Sequence, residues 1–73
     1  MDKKWRFLYF KWEDYVVFEA CLKILLDECI SYDARFEYGE YCTLSFACDD
    51  ITFNSMRETM AEMYDYELKG EEL

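Results

Sequence analysis

From Ser31 to Cys48 the chain alternates apolar and polar residues with a period of two, interrupted only at Gly39-Glu40. Tyr32, Ala34, Phe36 and Tyr38 share one parity, and Ser31, Asp33, Arg35 and Glu37 the other. Beyond the interruption Cys42, Leu44, Phe46 and Cys48 alternate with Tyr41, Thr43, Ser45 and Ala47. Successive strand residues point to opposite faces of a sheet, so the pattern predicts a hairpin that buries one face. A two-residue loop would set Phe36 beside Thr43 and split the apolar residues between the faces. An odd connection pairs even positions with even ones, for example Phe36 with Leu44 and Ala34 with Phe46. Because a one-residue slip turns every side chain over, the sequence predicts a three- or five-residue connection or a bulge, with Gly39 at positive φ.

The flanking segments complete the outline. Trp5 to Trp12 is almost wholly aromatic and β-favouring, with Leu8, Phe10 and Trp12 on one face and Trp5, Phe7 and Tyr9 on the other. Glu13-Asp14 places acids where a helix begins. Val17, Phe18, Cys21, Leu22, Ile24, Leu25 and Cys29 then recur at three- and four-residue spacing, predicting a helix from about Asp14 to Ile30. Asp49-Asp50 reads as a turn. Ile51-Thr52-Phe53 reads as a short strand or the entry to a last helix, capped at Asn54 or Ser55 with Ser55-Met56-Arg57-Glu58 as a capping box. Met56, Met60, Met63 and Tyr64 form that helix's inner stripe, and Lys69-Gly70 its end. The expected fold is α+β: a small, mainly antiparallel sheet with two helices on one face, in the order β-α-β-β-(β)-α. The connection through the first helix leaves room for a parallel pairing of the first strand. Residues 1–69 form one compact domain, and residues 70–73 a flexible acidic tail.

A chain of 73 residues is near the lower limit for a self-sufficient core. Two Trp, seven Tyr and six Phe supply the apolar surface it needs, and they argue against intrinsic disorder. Cys21, Cys29, Cys42 and Cys48 lack the close pairing of a zinc site and there is no His to complete one, so they read as reduced, buried thiols. No run approaches the roughly 18–20 apolar residues that span a membrane. The apolar run Phe7–Phe10 is too short and too aromatic for a secretory signal. The expected location is cytoplasmic, the host cytoplasm if the chain is phage-encoded.

Catalysis finds little support. The absence of His removes every imidazole-based dyad or triad. The two isolated glycines cannot form a phosphate-cradling loop. Asp49-Asp50 lacks the spaced ligands and internal glycine of a calcium loop. The chain is therefore read as no enzyme, without cofactor or metal.

Charge is the functional signal. Seventeen acids face eight bases, for a net charge of −9. Lys3, Lys4, Arg6 and Lys11 make the N-terminus basic, whereas Glu40, Asp49, Asp50, Glu58, Glu62, Asp65, Glu67, Glu71 and Glu72 stand against only Arg57 and Lys69 from residue 40 onward. Such a field repels nucleic acid and anionic membrane and steers toward basic surfaces. Carboxylates four residues apart on a helix lie about 6 Å apart along its axis, close to the repeat of phosphates along one nucleic-acid strand. The candidate partner-binding residues are Glu40, Tyr41, Asp49, Asp50, Glu58, Glu62, Asp65 and Glu67. Trp5, Phe7 and Tyr9 form a second candidate contact, because the helices can cover only one face of the first strand, and Leu8, Phe10 and Trp12 are the alternative exposed row.

In size, acidity and lack of catalytic residues the chain resembles phage-encoded nuclease antagonists, including anti-CRISPR proteins that act as DNA mimics. The resemblance is compositional and assigns no residue a role. It implies an inhibitor that binds a basic nucleic-acid-handling protein, such as a CRISPR effector or another nuclease, and blocks its nucleic-acid channel without itself touching nucleic acid. The alternative is a non-catalytic structural or adaptor subunit that homodimerises through its aromatic N-terminal strand.

Overall fold

A computed structural model describes residues 3–37 and 39–69, together with the backbone of residues 71–72. Strand β1 (Lys4–Lys11) leads through a 3-10 turn (Trp12–Asp14) into α1 (Tyr15–Asp27). The hairpin β2 (Tyr32–Glu37) and β3 (Tyr41–Cys48) follows, then α2 (Asp50–Tyr64) and a two-residue β4 (Glu71–Glu72). The sheet order is β2-β3-β1-β4, and every adjacent pair is antiparallel. Strand β1 thus inserts beside β3, and the room left for a parallel neighbour is not used. The optional strand after β3 does not form: Ile51, Thr52 and Phe53 belong to the first turn of α2.

Binary alternation sets the layers. Leu8, Phe10, Cys42, Leu44, Phe46 and Cys48 are buried on one face, and they form a single cluster with Val17, Phe18, Cys21 and Leu25 of α1 and Phe53, Met56 and Met60 of α2. Phe18 lies at its aromatic centre, with ring centroids 5.8 Å from Phe10, 5.6 Å from Tyr15 and 5.5 Å from Phe36. The hairpin has the three-residue connection, with Gly39 at φ 71°. Even positions do pair with even, but Ala34 faces Leu44 and Phe36 faces Cys42, two residues from the pairs the alternation suggested. Parity follows from the pattern, whereas the choice among even registers follows from loop length. Tyr38, expected on the apolar face, lies outside the described residues.

Strand β1 stops one residue short of Trp12. The Trp12 amide donates to the Glu40 carbonyl at 3.0 Å, and the indole leaves the sheet to stand 5.0 Å from Tyr15 and 6.0 Å from Phe36. Helix α1 ends three residues before Ile30, in a Schellman turn. The Cys29 amide donates to Leu26 and the Ile30 amide to Leu25, with Cys29 at φ 57°. Cys29 is therefore exposed, unlike Cys21, Cys42 and Cys48, and the expectation of four buried thiols is corrected there. An L-residue in this conformation costs roughly 1–2 kcal/mol. Cys29→Gly is expected to raise stability by about 0.5–1 kcal/mol, after the greater chain entropy of unfolded glycine is discounted. A urea titration with no rise in midpoint would contradict it.

The N-cap of helix α2 lies five or six residues before the cap expected at Asn54 or Ser55. Asp49 is the N-cap, its Oδ1 accepting the Thr52 amide at 2.8 Å. Ser55 lies mid-helix, where its carbonyl accepts the Thr59 hydroxyl at 2.9 Å, so Ser55-Met56-Arg57-Glu58 is no capping box. The buried stripe is Phe53, Met56 and Met60; Met63 is 67% exposed and Tyr64 is exposed too. Asp65 at φ 51° ends the helix well before Lys69-Gly70. The chain reverses there, returning Leu68 to the core and the Tyr66 ring to within 5.9 Å of Phe10. The backbone of Glu71–Glu72 pairs with Arg6–Phe7 of β1, while Gly70 and Leu73, at the two ends of the expected tail, lie outside the described residues.

Candidate functional site: the acidic face of α2 and the open sheet face

The acids singled out in the sequence separate into groups with different work to do. Asp49 and Asp50 lie at one end of β3, while Glu40 and Tyr41 lie at the other, about 23 Å away for a strand of this length. Asp49 is committed to the helix cap. Asp50 is held by two cations: Arg6 Nη2 donates to its Oδ1 at 2.5 Å, and Lys4 Nζ lies 3.6 Å from its Oδ2. The basic N-terminal strand thus neutralises the acid nearest to it.

Both acids are held below the ordinary carboxylate range, Asp49 by the backbone amide of Thr52 and Asp50 by its hydrogen bond from Arg6. A carboxyl whose pKa is lower in the folded state stabilises above its unfolded value, near 4, and loses that contribution as pH falls through the folded value. The urea midpoint is therefore expected to hold above about pH 5 and to fall below about pH 4. Asn caps helices as Asp does but does not titrate in this range, so Asp49→Asn should flatten part of the acid limb. Identical acid limbs in the two proteins would refute the assignment.

Glu58, Glu62, Asp65 and Glu67 are free of such commitments. All four are exposed, and among the described residues none has an ion-pair partner. Helical spacing puts Glu58, Glu62 and Asp65 on the side of α2 away from its buried stripe. The chain reversal at Asp65 carries Glu67 back toward the helix. Glu58, Asp65 and Glu67 then line one open groove of about 620 Å³, with Asn54, Arg57 and Tyr66. The groove is acidic with one base, and it is a feature of the turn as much as of the helix.

The second candidate contact is the sheet face away from the helices. Trp5 is 56% and Tyr9 49% exposed, with Phe7 half-buried between them. Tyr41 joins this face: its ring centroid is 4.7 Å from that of Tyr9. The neighbouring Tyr41 pushes the Tyr9 hydroxyl up to about 12, so it stays neutral at physiological pH. Thr43, Ser45 and Ala47 fill the adjoining row of β3 with small side chains. Of the acids named with it, Tyr41 is accompanied only by Glu40; it shares no surface with the α2 groove.

One feature lay beyond the reach of local sequence reading. Arg6 is buried in the face that packs against the helices, with its guanidinium carbon 4.4 Å from the centroid of the Phe53 ring and its Nε without a partner. It ties the first turn of α2 to β1. It also lies beside Cys48, whose thiol burial pushes up and the Arg6 charge only partly pulls back. Burial likewise pushes the Cys42 thiol up, and raises Cys21 to about 12, so these three sulfurs are protonated at neutral pH. The only signal for this arrangement was parity, which places Arg6 with Leu8 and Phe10.

No helix among the described residues is long and apolar enough to cross a membrane. No protein-family model, curated protein sequence or solved structure matches the chain.

Proposed function

We propose that the chain is a small acidic inhibitor that binds a nucleic-acid-handling protein, of the kind represented by CRISPR effectors and other nucleases, and occupies its basic nucleic-acid-binding surface by charge mimicry. The observation that carries this reading is the unpaired set Glu58, Glu62, Asp65 and Glu67 on one side of the molecule. Carboxylates paired internally would offer a partner little field. Among the described residues none of the four is held in an ion pair, and Arg57 is the one base in their groove. Most of their field is therefore left to attract an arginine- or lysine-rich channel. The aromatic sheet face adds apolar contact without charge.

The test is displacement of labelled DNA from a purified CRISPR effector. The chain is expected to compete, and the triple variant Glu58→Lys/Glu62→Lys/Glu67→Lys to compete at least roughly tenfold less well. Competition should also weaken as salt is raised. Equal potency of the triple variant, or potency indifferent to salt, would rule out mimicry through α2.

A second reading follows from the exposure of Trp5 and Tyr9: an adaptor that homodimerises through the open face of β1. Both sides of β1 already hold strands, so this dimer would join sheet faces. Phe7→Glu would dissociate it and leave DNA competition intact.

A further inference from the structure

Strand β2 ends the sheet, and its outer backbone groups have no strand beside them among the described residues. Neither proline nor bulge interrupts it, for its pairing with β3 is continuous from Tyr32 to Glu37. Proline and bulges are two of the devices that keep an edge from pairing with another chain. Charged side chains are a third, and β2 carries Asp33, Arg35 and Glu37 with opposite signs. Its apolar side chains remain open as well. Phe36 touches the rings of Trp12, Tyr15 and Phe18 yet is 56% exposed, and Tyr32 is 39% exposed.

We infer that two copies of this chain pair antiparallel through β2, about a twofold axis at Ala34, continuing the sheet from one molecule into the next. A twofold perpendicular to the sheet keeps each residue on its own face, so only even registers are allowed. Centred on Ala34, Asp33 lies opposite Arg35 of the second copy and Arg35 opposite its Asp33. Tyr32 lies opposite Phe36 on the helix side, twice over. Opposite charges and paired aromatics are the cross-strand combinations that stabilise a ladder. Centred on Arg35, the edge would oppose Arg35 to itself and Asp33 to Glu37. Centred on Asp33, it would oppose Asp33 to itself. Centred on Phe36, Arg35 would face Glu37 at both crossings, but only residues 35–37 of the strand would overlap. Charge and strand overlap together therefore select the Ala34 register. In a single copy Arg35 Nε already donates to Asp33 Oδ2 at 3.0 Å, an exposed pair that the second copy extends into an alternating cluster.

This dimer is independent of what the acidic face of α2 binds, and its test uses no target protein. Sedimentation equilibrium of the full chain should show self-association. Arg35→Asp sets acids opposite acids at both crossings, and Asp33→Arg sets bases opposite bases. Each alone is expected to weaken the dimer about ten- to thirtyfold. Mixed, the two variants restore opposite charges at both crossings and should form a heterodimer as tight as the parent. Both side chains are largely exposed, at 71% and 59%, so neither substitution threatens the fold, which circular dichroism would verify. A monomeric parent at about millimolar concentration, variants that associate like the parent, or a mixture that stays dissociated would each overturn the proposal. So would dissociation by Phe7→Glu alone, which would move the contact to the open sheet face.

Discussion

Phe18→Ala is expected to cost about 3–5 kcal/mol, the range for removing a fully buried phenylalanine ring. A domain of 73 residues has roughly 4–11 kcal/mol in total, so the variant should lose from about a quarter to all of its stability. The size of the effect comes from position. Phe18 is completely buried and meets rings from β1, from its own helix and from β2. Its removal leaves a cavity bounded by three elements that cannot all collapse inward together, because two of them are held by the sheet's hydrogen bonds. The comparison variant is Val16→Ala on the exposed side of the same helix, expected within about 0.5 kcal/mol of the parent apart from helix propensity. Thermal and urea unfolding of the two would check the contrast. A Phe18→Ala protein with a near-parental midpoint would mean that the aromatic cluster is not the centre of the core.

Arg6→Glu is expected to cost a further large amount, about 3–5 kcal/mol, because it buries an acid beside Asp50 and Asp49 where a base had been. Arg6→Met separates the charge of this residue from its bulk. Methionine can lie against the Phe53 ring as the guanidinium does, and it removes the buried Nε that has no partner. Asp50 is largely exposed and tolerates the loss of its partner in water. Arg6→Met should therefore fall within about 1 kcal/mol of the parent. If methionine cost as much as glutamate, the ion pair rather than the packing would be holding α2 to β1.

The sequence exposed the periodicities well and the boundaries less so. Alternation from Tyr32 to Cys48 identified the hairpin, the odd connection and the positive φ of Gly39, because burial on one face of a strand leaves a local, repeating trace. The start of α2 lies before the Asn54 or Ser55 cap because Asp49, which reads as a turn residue, is an equally good N-cap. What decided between them was Phe53, whose burial extends the helical stripe back to the end of β3. The end of α2 was hidden for a similar reason. Met63 continues the apolar spacing of Met56 and Met60, but the chain reverses at Asp65 to bring Tyr66 and Leu68 onto the core.

The candidate site was legible as composition and not as place. An excess of acids after residue 40 is visible in the sequence, yet Asp49 and Asp50 are taken up by the α2 cap and by Lys4 and Arg6, far along the chain. Ion pairing depends on distance in space, so only folding could show which carboxylates remain free.

The sequence by itself determined the α+β class, the buried parity of the hairpin strands and the acidic imbalance, for each depends on neighbours a few residues apart. The tertiary structure decided the strand order β2-β3-β1-β4, the burial of Arg6 and the grouping of Glu58, Asp65 and Glu67 into one groove. It also left β2 as the vacant edge. Those outcomes depend on which distant segments pack together, and local periodicity carries no information about that choice.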